Sequence, residues 1–214
     1  MTNTARRVAG GWVVLALGVA WIASIAAGMK ILVDYSTTPG EGDDPAPSWP
    51  EQSHLAAPHG RPVLVMFAHP RCPCTRSSIG ELAVIMARCH DAVTAEVLFL
   101  KPDRAQAAWW KTDLWDSAAA IPGVSVTADE RGAEARLFGA ATSGETLLYD
   151  GQGRLLFSGG ITGARGHFGD NDGLDAVVAL VRGQHPAPSH TFVFGCALRD
   201  PHVAAGGGGE RWTR

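Results

Sequence analysis

The sequence predicts an α/β fold in which a mixed sheet is flanked by helices and preceded by one apolar N-terminal helix. Apolar runs typical of buried strands alternate with helix-like segments through residues 61–185. Ahead of them, residues 8–29 carry no charge. A chain of 214 residues has room for one domain of ordinary size plus extra segments.

The uncharged run predicts a transmembrane helix, with the anchor at residues 8–33. A helix of that run, rising about 1.5 Å per residue, is roughly 33 Å long and matches a hydrocarbon core of about 30 Å. Arg6 and Arg7 precede it and acidic residues follow. This bias predicts that residues 1–7 are cytoplasmic and that the remainder is extracytoplasmic, or periplasmic in a bacterium. The alternative is a signal peptide cleaved near Ala26, which also exports the domain.

Composition limits the other classes of function. The chain is 46% hydrophobic and 18% charged, which is typical of a globular protein, and its net charge of −3 gives no sign of nucleic-acid binding. Residues 34–60 contain five prolines, acidic residues and little apolar pattern, so we expect an extended linker that buries no core. Residues 186–214 have the composition of a C-terminal tail. The oligomeric state has no signature in the sequence.

Periodicity places the elements of the domain at residues 61–185. The pattern predicts strands at residues 63–67, 93–100, 124–128, 146–149 and 154–158, and helices at residues 79–90, 105–120 and 174–181. The turn Asp150–Gly153 joins the last two strands as a hairpin.

The segment with the clearest chemistry runs from His69 to Arg76 and contains Cys72-Pro73-Cys74. A cysteine between a buried strand and a helix lies where backbone N–H groups and the helix dipole stabilise an anion. Arg71 and Arg76 add positive charge nearby. This setting lowers the pKa of a thiol and favours the thiolate, which attacks disulfides and binds metals.

The domain resembles the thioredoxin superfamily, and within it the exported, membrane-tethered type, closest to proteins labelled RedB. The strand leading into the cysteine turn and the hairpin at residues 146–160 carry the resemblance to the superfamily. Gly159–Thr162, Arg165–His167 and Phe194–Cys196 carry the closer one. The resemblance implies a redox domain that needs no cofactor and acts on protein thiols or disulfides.

Two features depart from the superfamily pattern. The usual motif is Cys-x-x-Cys, whereas one residue separates Cys72 from Cys74. If the helix begins at Pro73, Cys74 lies about 200° around it from Cys72 and a direct bridge is awkward. If the helix instead begins at the capping box that starts at Ser78, both cysteines lie in a loop. The second departure is Gly144, because the resemblance implies a cis-proline at that position.

Roles follow for the cysteines. Cys72, nearer the helix start, is predicted to be the attacking thiol and Cys74 the resolving one. Cys196 is an alternative resolving thiol, since the apolar residues before it give it a means of docking on the domain. Cys89 lies on an apolar helix face and is predicted to be a core residue.

Metal binding is the alternative function. His69, Cys72 and Cys74 offer three ligands suited to copper(I) or zinc, with Cys196 or His167 as a fourth. For His167, however, its loop also offers Asp170–Asp172 as helix-capping residues.

Overall fold

The computed structural model describes residues 3–42, 44–184 and 188–198. The chain forms two compact units, of which the first ends at Thr38 and the second begins at Pro39. The remainder of the predicted C-terminal tail, residues 199–214, lies outside the described residues.

The first unit is a single helix, α1 (Asn3–Thr37). From Gly11 to Thr37 it is long and apolar enough to cross a membrane. Its large apolar side chains are exposed, Trp12 and Trp21 each at 68%, as expected for a surface that faces lipid. The prediction of an apolar N-terminal helix is confirmed. Its role as an anchor or a signal sequence, and its orientation, stay predictions.

The second unit alternates strands and helices. In chain order its described elements are β1 (Val63–Ala68), α2 (Pro73–Cys89), a 3-10 turn (His90–Ala92), β2 (Thr94–Lys101), α3 (Ala107–Trp110), α4 (Asp113–Ala119), β3 (Val124–Glu130), α5 (Ala133–Phe138), β4 (Glu145–Tyr149), β5 (Leu155–Gly160) and α6 (Asp172–Val181).

The five strands form one mixed sheet in the order β3-β2-β1-β4-β5. β1 is parallel to β2, and β2 to β3. β4 is antiparallel to β1 and forms the predicted hairpin with β5. The mixed sheet flanked by helices is therefore confirmed, with β1 at its centre.

Alternate side chains of the strands enter two separate cores, because successive residues of a strand point to opposite faces. On one face Leu64 and Met66 of β1 pack with α2, α4 and α6. On the other, Val65 and Phe67 pack with α5. Buried on both sides, β1 has the continuous apolar sequence that predicts it.

The segment before β1 differs from the predicted spacer, because part of it covers the second face of the sheet. Trp49 packs edge-on against Phe138 and Tyr149, with ring centroids 5.1 Å and 5.3 Å apart. Ser53 donates a hydrogen bond of 2.7 Å to the buried Glu134 carboxylate. The expectation that the segment buries no core is wrong, since Trp49 packs against the second core. The proline content of the segment does not reveal this contact.

The described part of the predicted tail, residues 188–198, also packs on the domain. Ser158 of β5 donates a backbone hydrogen bond to Ser189 and accepts one from Thr191, both of 3.2 Å. Val193, Phe194 and Leu198 are buried. An apolar cluster near the end of the chain is thus part of the fold.

Two helices depart from their predicted bounds. α2 begins at Pro73 rather than near Ser78, because proline is favourable in the first turn of a helix and Cys72 takes the capping position. The helix predicted at residues 105–120 is divided into α3 and α4 at Lys111, whose ψ of 79° is not helical.

Candidate functional site

Cys72 lies between the central strand β1 and the first residue of α2. Its N–H donates to the His69 carbonyl, and its own carbonyl accepts from the Thr75 N–H, both at 3.1 Å. Its side chain is only 1% exposed. The end of a central strand, at the start of a helix, is a common location for reactive groups in α/β folds.

Three thiols meet at this point. The backbone N–H of Cys196 donates to Cys72 Sγ at 3.4 Å. The Cys196 thiol favours the Cys72 thiolate, and the Cys72 charge in turn raises the pKa of the Cys74 thiol. All four cysteines of the chain, including the remote Cys89, are free thiols. The structure therefore brings Cys196 to the two cysteines of the turn.

These contacts stabilise the thiolate of Cys72. Hydrogen bonds from the Cys196 thiol and N–H and from the Thr75 hydroxyl and N–H lower its pKa to about 4, although burial opposes the change. A thiol with this pKa is ionised at neutral pH, and the thiolate is the nucleophilic form.

The pKa values of the neighbouring thiols, Cys74 and Cys196, are raised and not lowered. Burial and the Cys72 charge raise the pKa of Cys74. Donation of the Cys196 thiol to Cys72, together with burial, raises the pKa of Cys196. The Arg165 guanidinium opposes both changes, and its Nη1 donates to the Gly195 carbonyl at 2.6 Å. The negative charge of the three cysteines at the turn is thus concentrated on Cys72.

A buried network supports the turn from the side of β4. The Thr75 and Ser143 hydroxyls are hydrogen-bonded at 2.8 Å, and the His69 N–H donates to the Ser143 hydroxyl at the same distance. Both hydroxyl side chains are fully buried. Their fixed positions hold the loop before β4 against the start of α2.

His69, predicted as a metal ligand, makes contacts with its neighbours in the turn and with Trp109. Its Nδ1 accepts the Arg71 N–H at 3.1 Å, and its ring packs edge-on against Trp109 at 5.6 Å. Burial lowers the pKa of the imidazole. In residues 3–42, 44–184 and 188–198, no group of three or more His, Cys, Asp or Glu side chains is placed to hold a metal ion.

The two arginines of the turn do not supply the charge expected of them. Arg71 stacks on Trp109, with its guanidinium 5.1 Å from the ring centroid. Arg76 forms an exposed ion pair with Asp113. The leading contributions to the lowered pKa of Cys72 are instead hydrogen bonds from Cys196 and Thr75.

Gly144 lies at the end of the loop before β4, beside the cysteine turn. Its φ is +92°, and its N–H donates to the Phe67 carbonyl at 2.7 Å. Proline, with φ near −65° and no N–H, satisfies neither requirement. A Cβ here would also lie 2.8 Å from Ser78 Oγ. These constraints give a physical reason for glycine where the resemblance implies proline.

His167 and Cys89 are not part of the cysteine cluster formed by Cys72, Cys74 and Cys196. His167 is exposed and packs within its own loop against Gly163. The capping prediction for that loop is confirmed for Asn171, whose side chain accepts the Leu174 N–H at 2.9 Å. Cys89 is a member of the first core, as predicted.

Comparison with known proteins gives the fold. No protein-family model and no curated protein matches the chain. An uncharacterized conserved protein of Geobacillus kaustophilus is similar in structure, with 15% identity and a TM-score of 0.55 over 76% of this chain and 92% of the other. A hypothetical protein of Sinorhizobium meliloti is similar over 76% and 96%, with 19% identity and a TM-score of 0.52.

The topology of the sheet identifies the fold. A parallel βαβ unit whose first strand ends at the cysteine turn is followed by an antiparallel hairpin and a helix. The fold is thioredoxin-like. A secreted disulfide oxidoreductase of Mycobacterium tuberculosis, described as homologous to E. coli DsbE, is also similar, with 17% identity over 57% of this chain and 83% of the other. Its TM-score is 0.43.

Sequence reasoning did not single out Thr75, Ser143 or Arg165 as site residues. Thr75 and Ser143 are ordinary hydroxyl residues whose contact joins positions 68 apart in the chain. Arg165 lies in a segment that carries the RedB resemblance, and this was the available signal. Its contact with the Cys196 segment depends on how that segment folds back.

Proposed function

We propose that this protein is a membrane-tethered, extracytoplasmic thiol–disulfide oxidoreductase with Cys72 as its attacking thiol. The observation that carries the proposal is the set of hydrogen bonds from Cys196 and Thr75 that lowers the pKa of Cys72 to about 4. A structural cysteine has no need of a stabilised thiolate, whereas a nucleophile does.

The reaction begins when the Cys72 thiolate attacks one sulfur of a substrate disulfide. A mixed disulfide forms, and the other substrate sulfur leaves as a thiolate. A second thiol of the protein then attacks Cys72 and releases the substrate. Two thiols are candidates for this step: Cys74, the one predicted from sequence, and Cys196, whose backbone N lies 3.4 Å from Cys72 Sγ.

The compartment and the substrate class belong to the same proposal. The apolar helix α1 supports a tether, and the charge bias around it supports export of the domain. The RedB resemblance and a protein substrate rest on sequence alone and stay predictions.

The copper or zinc function has less support from the geometry. His69 Nδ1 accepts the Arg71 N–H, and the described residues contain no group of three or more His, Cys, Asp or Glu side chains placed to hold a metal ion. Metal analysis of the reduced protein nevertheless belongs in the test, because thiolates bind soft metals well.

The test uses the full chain in detergent, reduced and then mixed with oxidised glutathione. Cys72→Ser is expected to slow glutathione release at least about 100-fold, because no other thiol has a lowered pKa. The matched control Cys89→Ser, a buried thiol outside the site, should stay within about twofold of the unsubstituted rate.

An unchanged rate in Cys72→Ser would overturn the proposal. So would one tightly held copper or zinc ion per reduced chain with no disulfide at Cys72 after oxidation. That second result would establish the metal function instead.

A further inference from the structure

The described C-terminal segment, residues 193–198, runs antiparallel to the loop before β4. The Ser143 N–H donates to the Cys196 carbonyl and the Leu198 N–H donates to the Ala141 carbonyl, both at 2.8 Å. Thr142 and Ala197 form an antiparallel bridge. This is the geometry by which an extended peptide adds to a backbone edge.

The segment also covers the nucleophile. Cys196 places its N–H 3.4 Å from Cys72 Sγ and its thiol in a hydrogen bond with that sulfur. Cys72 is 1% exposed, whereas Cys196 is partly exposed. The protein thus holds a cysteine of its own chain against Cys72, in the arrangement of a bound peptide.

Specific contacts set the register of this segment. Gly195 lies so close to the loop that a Cβ would collide with the Ser143 carbonyl oxygen. Arg165 Nη1 donates to the Gly195 carbonyl at 2.6 Å. Phe194 and Leu198, on either side, are buried at 9% and 4% exposure. Several independent contacts therefore hold Cys196 beside Cys72.

Cys74 is held less favourably for a bridge. Because α2 begins at Pro73, Cys74 is already helical and lies about 200° around the axis from the capping position. The Thr75 N–H to Cys72 carbonyl hydrogen bond of 3.1 Å closes the first turn. A Cys72–Cys74 disulfide requires this turn to unwind, whereas a Cys72–Cys196 disulfide leaves the first turn of α2 intact.

We infer that Cys196 is the resolving thiol and that the oxidised protein is closed by a Cys72–Cys196 disulfide. The inference rests on the proposed function and deepens it. Cys74 then remains a thiol in the oxidised protein.

The steps balance with the substrate disulfide as oxidant. The Cys72 thiolate attacks one substrate sulfur and forms a mixed disulfide with it. The substrate S–S bond breaks, and the other substrate sulfur is released as a thiolate. That thiolate takes the Cys196 proton and leaves as a thiol. Cys196, now a thiolate, attacks Cys72 Sγ and forms the Cys72–Cys196 bond. The substrate sulfur that was bound to Cys72 is expelled as a thiolate. Two protein sulfurs are oxidised and one disulfide is reduced.

The experiment oxidises the reduced full chain, in detergent, with one equivalent of oxidised glutathione and maps the tryptic peptides. Cleavage after Arg71 and Arg76 yields one peptide that carries both Cys72 and Cys74. Cys196 lies in the peptide that begins at Gly183. A Cys72–Cys196 bridge joins the two peptides, whereas a Cys72–Cys74 bridge stays within the first.

We expect joined peptides in the unsubstituted protein, in Cys74→Ser and in the control Cys89→Ser. Cys196→Ser should instead accumulate a glutathione adduct on Cys72. Gly195→Ala keeps every thiol but displaces the segment, and should slow loss of the adduct at least about tenfold. The matched control Gly28→Ala lies outside the segment, where a Cβ meets no atom within 4 Å, and should leave adduct loss unchanged.

A Cys72–Cys74 bridge in the unsubstituted protein, with adduct accumulation in Cys74→Ser and none in Cys196→Ser, overturns this inference and leaves the proposed function intact. Absence of any bridge or adduct at Cys72 in every variant overturns the proposed function itself.

Discussion

At Cys72 the interactions that favour the thiolate come from N–H, O–H and S–H groups of Cys196 and Thr75. These dipoles are fixed by the backbone and by buried contacts, so they need no reorganisation when the charge forms. Burial acts in the opposite direction and raises the pKa. The donors prevail because several converge on one sulfur.

Removal of one donor should therefore raise the pKa of Cys72. Thr75→Val keeps the shape but loses the hydroxyl, and we expect an increase of about one unit. The measurement is the pH titration of the thiolate ultraviolet absorbance in the reduced full chain. Thr127→Val, on the exposed side of β3, is the control. An unchanged titration in Thr75→Val would contradict the hydrogen-bond explanation.

The same pKa makes the stability of the reduced protein depend on pH. Because the folded pKa is about 4 and the unfolded value is near 8.5, unfolding between these limits takes up a proton. The free energy of unfolding should rise with pH through this window, by at most about 1.4 kcal/mol per unit. The contribution is fully present above the unfolded pKa and is lost as the pH falls through 4. Cys72→Ser should remove this slope in urea unfolding followed at several pH values.

At the scale of elements, the start of α2 determines the chemistry of the turn. With Pro73 as its first residue, the helix holds Cys72 at the capping position, where backbone N–H groups stabilise an anion. The capping-box pattern at Ser78 is overridden, because Ser78 is buried within α2 beside Gly144. Local sequence offered both starts, and packing against the loop before β4 selected one.

The segment before β1 contributes to stability through Trp49. Its T-shaped contacts with Phe138 and Tyr149 cover one face of the sheet, so Trp49→Ala should lower the free energy of unfolding by about 2–4 kcal/mol. The control is Phe192→Ala, since Phe192 is 67% exposed. Urea unfolding of both variants in detergent tests this, and equal stability of the two would show that the segment is only a spacer.

At the scale of the whole molecule, one helix and one domain occupy separate units. If α1 is an anchor with its N-terminus in the cytoplasm, the protein should remain with the membrane fraction. Protease added outside spheroplasts should then digest the domain, because Arg6 and Arg7 stay inside. A domain protected from external protease would contradict the orientation. A soluble product that begins near Ala27 would show that the segment is a cleaved signal peptide.

The sequence alone determined the α/β class, the succession of the five strands along the chain and the long apolar helix, because periodicity and apolar runs report local burial. The turn at Cys72 was also recognisable, since strand and cysteine are adjacent in the chain. It could not decide where α2 begins, since two capping patterns compete within a few residues.

Only the tertiary structure decided which groups surround the Cys72 sulfur. Cys196 lies 124 positions away from Cys72 and the Ser143 hydroxyl lies 68 from Thr75. No local pattern encodes such pairs, because they depend on how a C-terminal segment pairs with the loop before β4. The burial of Trp49 and the φ of +92° at Gly144 likewise arise from packing between distant segments, so they appear only when the chain is folded.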